Sequence, residues 1–179
     1  MKTCIKERPI AFSADMVRAL LQGWKTQTSR TRGLERFNGW PDWKIPLGED
    51  AWELCHFTKE EPGIWRAVFQ DPRGECPPGL DPVVKCPYGK PGERLCVRDP
   101  FFNVYDDWFR LLLEITDIEV RKLQSITEEE AMAEGIESIF YDEETSSTGW
   151  KNYLDPESMC IRARDSFFTL WDRLHDGGE

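Results

Sequence analysis

At 179 residues the chain is long enough for one domain with a real core and short for two. No apolar run approaches the roughly 20 residues that a membrane helix needs, and the first residues carry no apolar leader, so a cytoplasmic protein with no membrane contact is expected. A net charge of −10 speaks against gripping a long nucleic acid without sequence preference, because such binding rests on neutralised phosphates.

That charge is uneven. Residues 1–36 hold eight Lys or Arg against three Asp or Glu, a local +5, which leaves −15 on the remainder. A small basic patch on an acidic body suits a small ligand or a few phosphates better than a long polyanion.

Residues 1–8 are polar and expected to be loose. Ile10 to Phe12 reads as a short strand. Ser13 stands where an N-cap belongs, Asp15 lies in the first turn, and Met16, Val17, Leu20 and Leu21 mark one apolar helix face. Gly23 ends that helix by supplying a left-handed residue. Next comes Lys25-Thr26-Gln27-Thr28-Ser29-Arg30, which packs an amine, hydroxyls and a guanidinium together. Run as a strand, it carries Thr26, Thr28 and Arg30 on one side and Lys25, Gln27 and Ser29 on the other. A bulge or a turn near Gly23 would bring Lys25 and Thr28 together instead. Cations and hydroxyls at this density suit an anionic or multiply hydrogen-bonding ligand such as a nucleotide; a solvated hairpin strand is the plainer alternative.

From Gly33 to about Gly89 prolines and glycines recur, which breaks helices and long strands. Trp40, Trp43, Trp52 and Trp65 are interspersed, so the stretch is expected to fold against something, with Ala51–Phe57 and Ile64–Phe69 as a hairpin. Lys90-Pro91-Gly92-Glu93 reads as a turn, and Arg94 to Arg98 alternates as a half-buried strand does. Trp108 to Ile118 and Glu119 to Leu123 read as one bent strand or two. Thr127 opens a helix with a capping box to Glu130, and Ile126 and Ala131 occupy hydrophobic-staple positions. Gly135 stops it, which leaves Glu134 in a last turn where the helix dipole disfavours a negative charge and calls for a cation. Residues 137–160 are polar and expected to be a mobile segment. Asp165 or Ser166 caps a final helix whose apolar positions are Phe167, Leu170, Trp171 and Leu174.

Six cysteines (Cys4, Cys55, Cys76, Cys86, Cys96 and Cys160) form no C-x-x-C pair, and the chain has two histidines. A zinc site would need an irregular set such as Cys55, His56, Cys76 and Cys86. Free thiols without metal or cofactor are the expectation in a reducing compartment.

Several blocks, taken in order, carry a family resemblance. They are Pro9 to Val17 with Leu20 to Thr28; Cys86-Pro87-Tyr88-Gly89 with Pro91 to Arg98; Ile115 to Leu123; Ile126 to Ile136; and Asp165 to Asp172. In these blocks, which cover about half of the chain, the sequence resembles ASCH-domain proteins, many of whose longer members are carried by tailed phages and prophages. The resemblance implies an α+β, PUA-like β-barrel, mixed and mostly antiparallel, with flanking helices. It implies a single domain over 1–179, a long loop insertion at 33–89 over one mouth of the barrel, and host cytoplasm for a phage-borne protein. Asp99-Pro100 departs from the family pattern, in which a glutamate and a threonine follow the arginine. The family's usual final aromatic and β-branched strand is not seen before Gly177-Gly178-Glu179, so the expectation is that either another segment takes its place or the sheet keeps an edge open to a partner chain.

The best-defined activity in that family is hydrolysis of the acyl group on the exocyclic amine of cytidine. Its lysine, threonine and glutamate fall on Lys25, Thr28 and Glu134. The resemblance makes Thr28 the nucleophile or the residue that orients a water, Lys25 a base or an electrostatic clamp, and Glu134 the holder of the lysine or a proton shuttle. Thr26, Arg30 and Arg98 are the expected ligand-binding residues. A module that binds RNA or a modified base without catalysis would use the same groups. A third class is a phage-encoded protein-interaction factor that works through its acidic face and open edge.

Overall fold

A computed structural model describes residues 6–34, 37, 53–70, 73–75, 82–98, 111–142 and 147–175. The chain divides into two compact units, Met1–Ala11 with Arg30–Arg98 and Phe102–Arg121, and Phe12–Ser29 with Asp99–Phe101 and Lys122–Glu179. The class is α+β, with three three-stranded sheets and few helices. A closed barrel is not found among the described residues.

The first unit contains β1 (Glu7–Ala11), β2 (Glu53–Glu61), β3 (Ile64–Gln70), β4 (Val83–Lys85), β5 (Arg94–Arg98) and β6 (Leu112–Glu114). One sheet has the order β1-β5-β6. Its β1 runs parallel to β5, from Glu7↔Arg94 to Ala11↔Arg98, and β6 is antiparallel to β5. The other is an antiparallel meander, β2-β3-β4. Its central strand buries Trp65, Ala67 and Phe69 on one face, the period-2 pattern of a half-buried strand.

The hairpin expected from Ala51–Phe57 and Ile64–Phe69 is present in a longer form. Its first strand runs nine residues to Glu61, where the proline- and glycine-rich sequence had suggested breaks. Pro62-Gly63 lies in the turn between the strands, so it punctuates the hairpin without interrupting the ladder. Trp40, Trp43 and Trp52 lie outside the described residues, as does most of the rest of 33–52. The turn at Lys90–Glu93 forms, with Glu93 N–H donating to Lys90 O at 3.0 Å, and the strand Arg94–Arg98 follows it as expected.

The long strand expected between Trp108 and Leu123 is instead the three-residue β6, with a 3₁₀ turn at Leu123–Ser125; residues 101–110 lie outside the described residues. Ile115 still bonds the neighbouring strand's turn, its N–H donating to Glu93 O at 3.0 Å, and beyond it Asp117 takes other partners. Its carboxylate accepts from the Ile118 backbone N–H and pairs with Lys59 at 3.3 Å, and these two contacts hold its pKa below the usual value. An aspartate that bonds its own neighbouring backbone competes with sheet pairing.

The second unit contains α1 (Ala14–Leu21), α2 (Glu128–Ala133), β7 (Ser138–Asp142), β8 (Ser147–Lys151), β9 (Met159–Cys160) and α3 (Ala163–His175). In α1, Ser13 Oγ accepts from Met16 N–H at 3.3 Å, the expected cap. Its buried face is Val17 and Ala19; Leu21, expected on that face, is 70% exposed. In α2 the capping box is complete: Glu130 N–H donates to Thr127 Oγ1 at 3.3 Å, and Thr127 N–H to Glu130 Oε2 at 2.8 Å. The staple residues Ile126 and Ala131 are buried in one cluster with Ile136, Ala163 and Phe167, on which Trp150, Tyr153 and Trp171 pack.

Residues 137–160, expected to be a mobile segment, instead carry the antiparallel sheet β7-β8-β9. Its polar sequence hides two anchors, Trp150 on the core cluster and the buried Cys160 opposite it. Helix α3 begins at Ala163, before the expected cap. Ser166 is buried within it, and its Oγ donates to Lys151 O at 2.6 Å, which ties the helix to β8. Asp165 pairs with Arg162 in the first turn at 2.9 Å.

In the first unit the guanidinium of Arg8 on β1 pairs with the Glu93 carboxylate just before β5. The buried Gly89, at φ +126°, lies against both groups, and a Cβ there would collide with the guanidinium and the carboxylate. Arg8 holds the Glu93 carboxyl below its usual range. The resulting stability is complete above the ordinary carboxylate pKa and is lost as pH falls through the lowered folded-state value. Acid titration monitored by denaturant melts should therefore show a stability loss that Glu93→Gln removes. Gly89→Ala should cost about 2 kcal/mol or more, from strained backbone and a displaced ion pair together. A melting curve unchanged by Gly89→Ala would refute this account.

Candidate functional site

The second unit gathers its chemistry where the chain leaves α1. Trp24 N–H and Lys25 N–H both donate to Ala19 O, at 2.9 and 3.1 Å. One residue later the direction changes: Thr26 N–H and Gln27 N–H both donate to Ala133 O in the last turn of α2, at 2.8 and 3.0 Å. These bonds satisfy carbonyls that a helix end leaves without partners. They also place Lys25 opposite Glu134 as an isolated antiparallel bridge, so the strand considered for Lys25–Arg30 reduces to this single residue.

The side chains then close on each other. Lys25 Nζ donates to Glu134 Oε2 at 2.9 Å and to Glu134 O at 2.6 Å. The Lys25 side chain is 2% exposed and that of Glu134 6%. The ammonium therefore answers both charges at this helix end, the carboxylate and the negative end of the dipole. Its Nζ also stands 5.9 Å from the centroid of the Phe12 ring, within cation–π range. The other carboxylate oxygen, Oε1, accepts from Ser29 Oγ at 2.7 Å. Close packing of the pair depends on Gly135, at φ +82°, where a Cβ would fall 2.8 Å from Lys25 Cβ and 3.2 Å from Ala19 Cβ.

Of the three expected catalytic residues, Lys25 and Glu134 meet directly. Among the described residues no hydrogen bond joins the half-buried Thr28 hydroxyl to either of them. The hydroxyl on the carboxylate belongs to Ser29, which lies on the Lys25–Gln27–Ser29 side of the alternation considered from sequence. That side was the one signal able to single out Ser29. Thr26 is exposed.

Arg30 and Arg98 belong to the first unit. Arg30 Nη2 donates to Ala11 O at 2.9 Å, and the exposed Arg98 is the register partner of Ala11, so both arginines stand at the C-terminal end of the β1/β5 ladder.

A cleft of about 260 Å³ in the second unit, between β8 and α3, is lined by Glu137, Lys151, Asn152, Tyr153, Ser158 and Arg173 among others. Most of its polar groups engage one another. Lys151 pairs with Glu137 at 2.6 Å, Asn152 Nδ2 donates to Ser158 Oγ at 2.8 Å, and Glu137 N–H donates to the Tyr153 hydroxyl at 3.0 Å. Burial pushes the Tyr153 phenol up to about 12, so it stays protonated. Cys55, Cys86, Cys96 and Cys160 are free thiols, and no group of His, Cys, Asp and Glu among the described residues is placed to hold a metal ion. Cys4 and Cys76 lie outside the described residues.

No family model, curated protein or solved structure matches this chain.

Removing one partner of a buried ion pair leaves an uncompensated charge, at about 3–5 kcal/mol. Lys25→Ala should lose stability on that scale, and Lys25→Met combined with Glu134→Gln should recover most of it in a double-mutant cycle read by denaturant melts. A loss below about 1 kcal/mol for Lys25→Ala would place the pair in water rather than in the core.

Proposed function

We propose that this chain is an ASCH-type, PUA-like protein that acts on a nucleoside or nucleic-acid ligand and hydrolyses the amide of a cytidine acylated on its exocyclic amine. The observation that carries the reading is the meeting of Lys25 and Glu134, 109 residues apart in sequence, at the positions the resemblance marks. Amide cleavage needs a nucleophile, a proton acceptor and stabilisation of the oxyanion. With two of its N–H donors on Glu134 and almost no exposure, Lys25 acts as an electrostatic clamp rather than as a base. Glu134 is then the proton acceptor. In this reading Thr26 and Thr28, on the same segment as Lys25, supply hydroxyls for the ligand.

A second reading, a binding module without catalysis, is favoured by one observation: among the described residues the Thr28 hydroxyl has no hydrogen bond to the pair that would activate it. Turnover of a free acylated cytidine, followed by chromatography, separates the two. The enzyme reading expects release of the acid and of cytidine, with Glu134→Gln lowering kcat by about 100-fold or more. Nucleoside binding without turnover, weakened by Glu134→Gln, would replace catalysis with recognition. Neither turnover nor binding would remove both.

A further inference from the structure

The hydroxyl that reaches the Glu134 carboxylate is not the one the resemblance marks. Ser29 Oγ lies 2.7 Å from Oε1, within the reach that proton transfer to a general base requires, while Oε2 is fixed by Lys25 at 2.9 Å. Lys25 is 2% exposed and Glu134 6%, whereas Ser29 is half-buried, so the serine is the member of this trio that an incoming substrate meets. The backbone supports the same assignment. Thr26 N–H and Gln27 N–H are both held on Ala133 O, which fixes the chain between Lys25 and Thr28 with the serine side chain, not the threonine, on the carboxylate.

We propose that Ser29 is the nucleophile of this site, with Glu134 as its proton acceptor and Lys25 as the group that orients that carboxylate; the proposal rests on the amidohydrolase reading above. Ser29 Oγ forms a bond to the acyl carbonyl carbon while its proton passes to Glu134 Oε1. The tetrahedral adduct collapses with cleavage of the C–N bond. Glu134 returns the proton to the departing exocyclic amine, and the acyl group stays as an ester on Ser29. Water then adds to the ester carbonyl and gives a proton to Glu134. The Ser29 oxygen leaves and takes that proton back, which releases the carboxylic acid and restores the site. The ammonium holds the carboxylate in place through Oε2, so orientation is its contribution to the step.

The test is to trap the acyl group. The full chain, in excess over an acylated cytidine, is quenched in acid and mapped by peptide mass. The expected result is an ester on Ser29. Ser29→Ala should lose that ester and lower turnover by about 100-fold or more, with a thermal melt showing that it is folded. Ser29→Cys should carry the acyl group as a thioester at the same position. An ester mapped to Thr28, or a folded Ser29→Ala variant that turns over at the wild-type rate, overturns the proposal and leaves the amidohydrolase reading standing. Wild-type protein with neither turnover nor ester overturns both.

Discussion

A lysine and a glutamate taken out of water together form the constraint on which the second unit depends. Desolvating two charges costs several kcal/mol per ion and is offset only when geometry and additional hydrogen bonds are good. Here the ammonium has the carboxylate at 2.9 Å and the Glu134 carbonyl at 2.6 Å, and the second carboxylate oxygen has the Ser29 hydroxyl at 2.7 Å. The pair also solves a problem that α2 creates for itself. A carboxylate in the last turn of a helix faces the negative end of the dipole, and a buried cation between the two relieves both. An apolar pair could fill the same volume, but it would not choose Glu134 and Ser29 as partners. We therefore regard the pair as a specificity device that joins the end of α1 to the end of α2, at modest net gain in stability.

That arrangement decides what the site can do. An ammonium so enclosed is a poor candidate to meet a ligand, and the hydroxyls around it, half-buried or exposed, are better placed to do so. The acidic body adds a second restriction. With −15 outside residues 1–36, a long polyanion is repelled over most of the chain. The nucleoside substrate proposed above carries no phosphate and would escape that repulsion.

Local chemistry was the most legible part of the fold. The Ser13 cap, the capping box of Thr127 and Glu130, the staple of Ile126 and Ala131, and the Arg94–Arg98 strand were all readable, because each depends on residues a few positions apart. Leu21 was misplaced because apolar periodicity does not say where a helix face ends. The sheet at 137–160 was missed because its strands are polar except for the anchors Trp150 and Cys160, whose packing partners lie elsewhere in the chain. The reach of β2 to Glu61 was missed because a proline and a glycine mark a break without saying whether it is a loop or a tight turn. The juxtaposition of Lys25 and Glu134 was legible as a demand, a carboxylate at a helix end in need of a cation, but the cation was named by resemblance. No propensity rule connects residues 109 positions apart.

The exchange of Thr28 for Ser29 on the carboxylate shows where such reading reaches its limit. Both hydroxyls follow Lys25 within four residues, and their chemistry is nearly the same. With the Thr26 and Gln27 N–H groups both on the Ala133 carbonyl, it is the Ser29 hydroxyl that meets the carboxylate. Placing Thr28 on Glu134 Oε1 would displace the Ser29 hydroxyl that occupies it, at about 1 kcal/mol or more in a half-buried setting. A ligand that made Thr28 the reacting group would have to supply that energy from its own contacts. A ligand attacked by Ser29 finds the hydroxyl, the carboxylate and the clamp already in place, and preorganisation of this kind is the larger part of what a protein contributes to such a step.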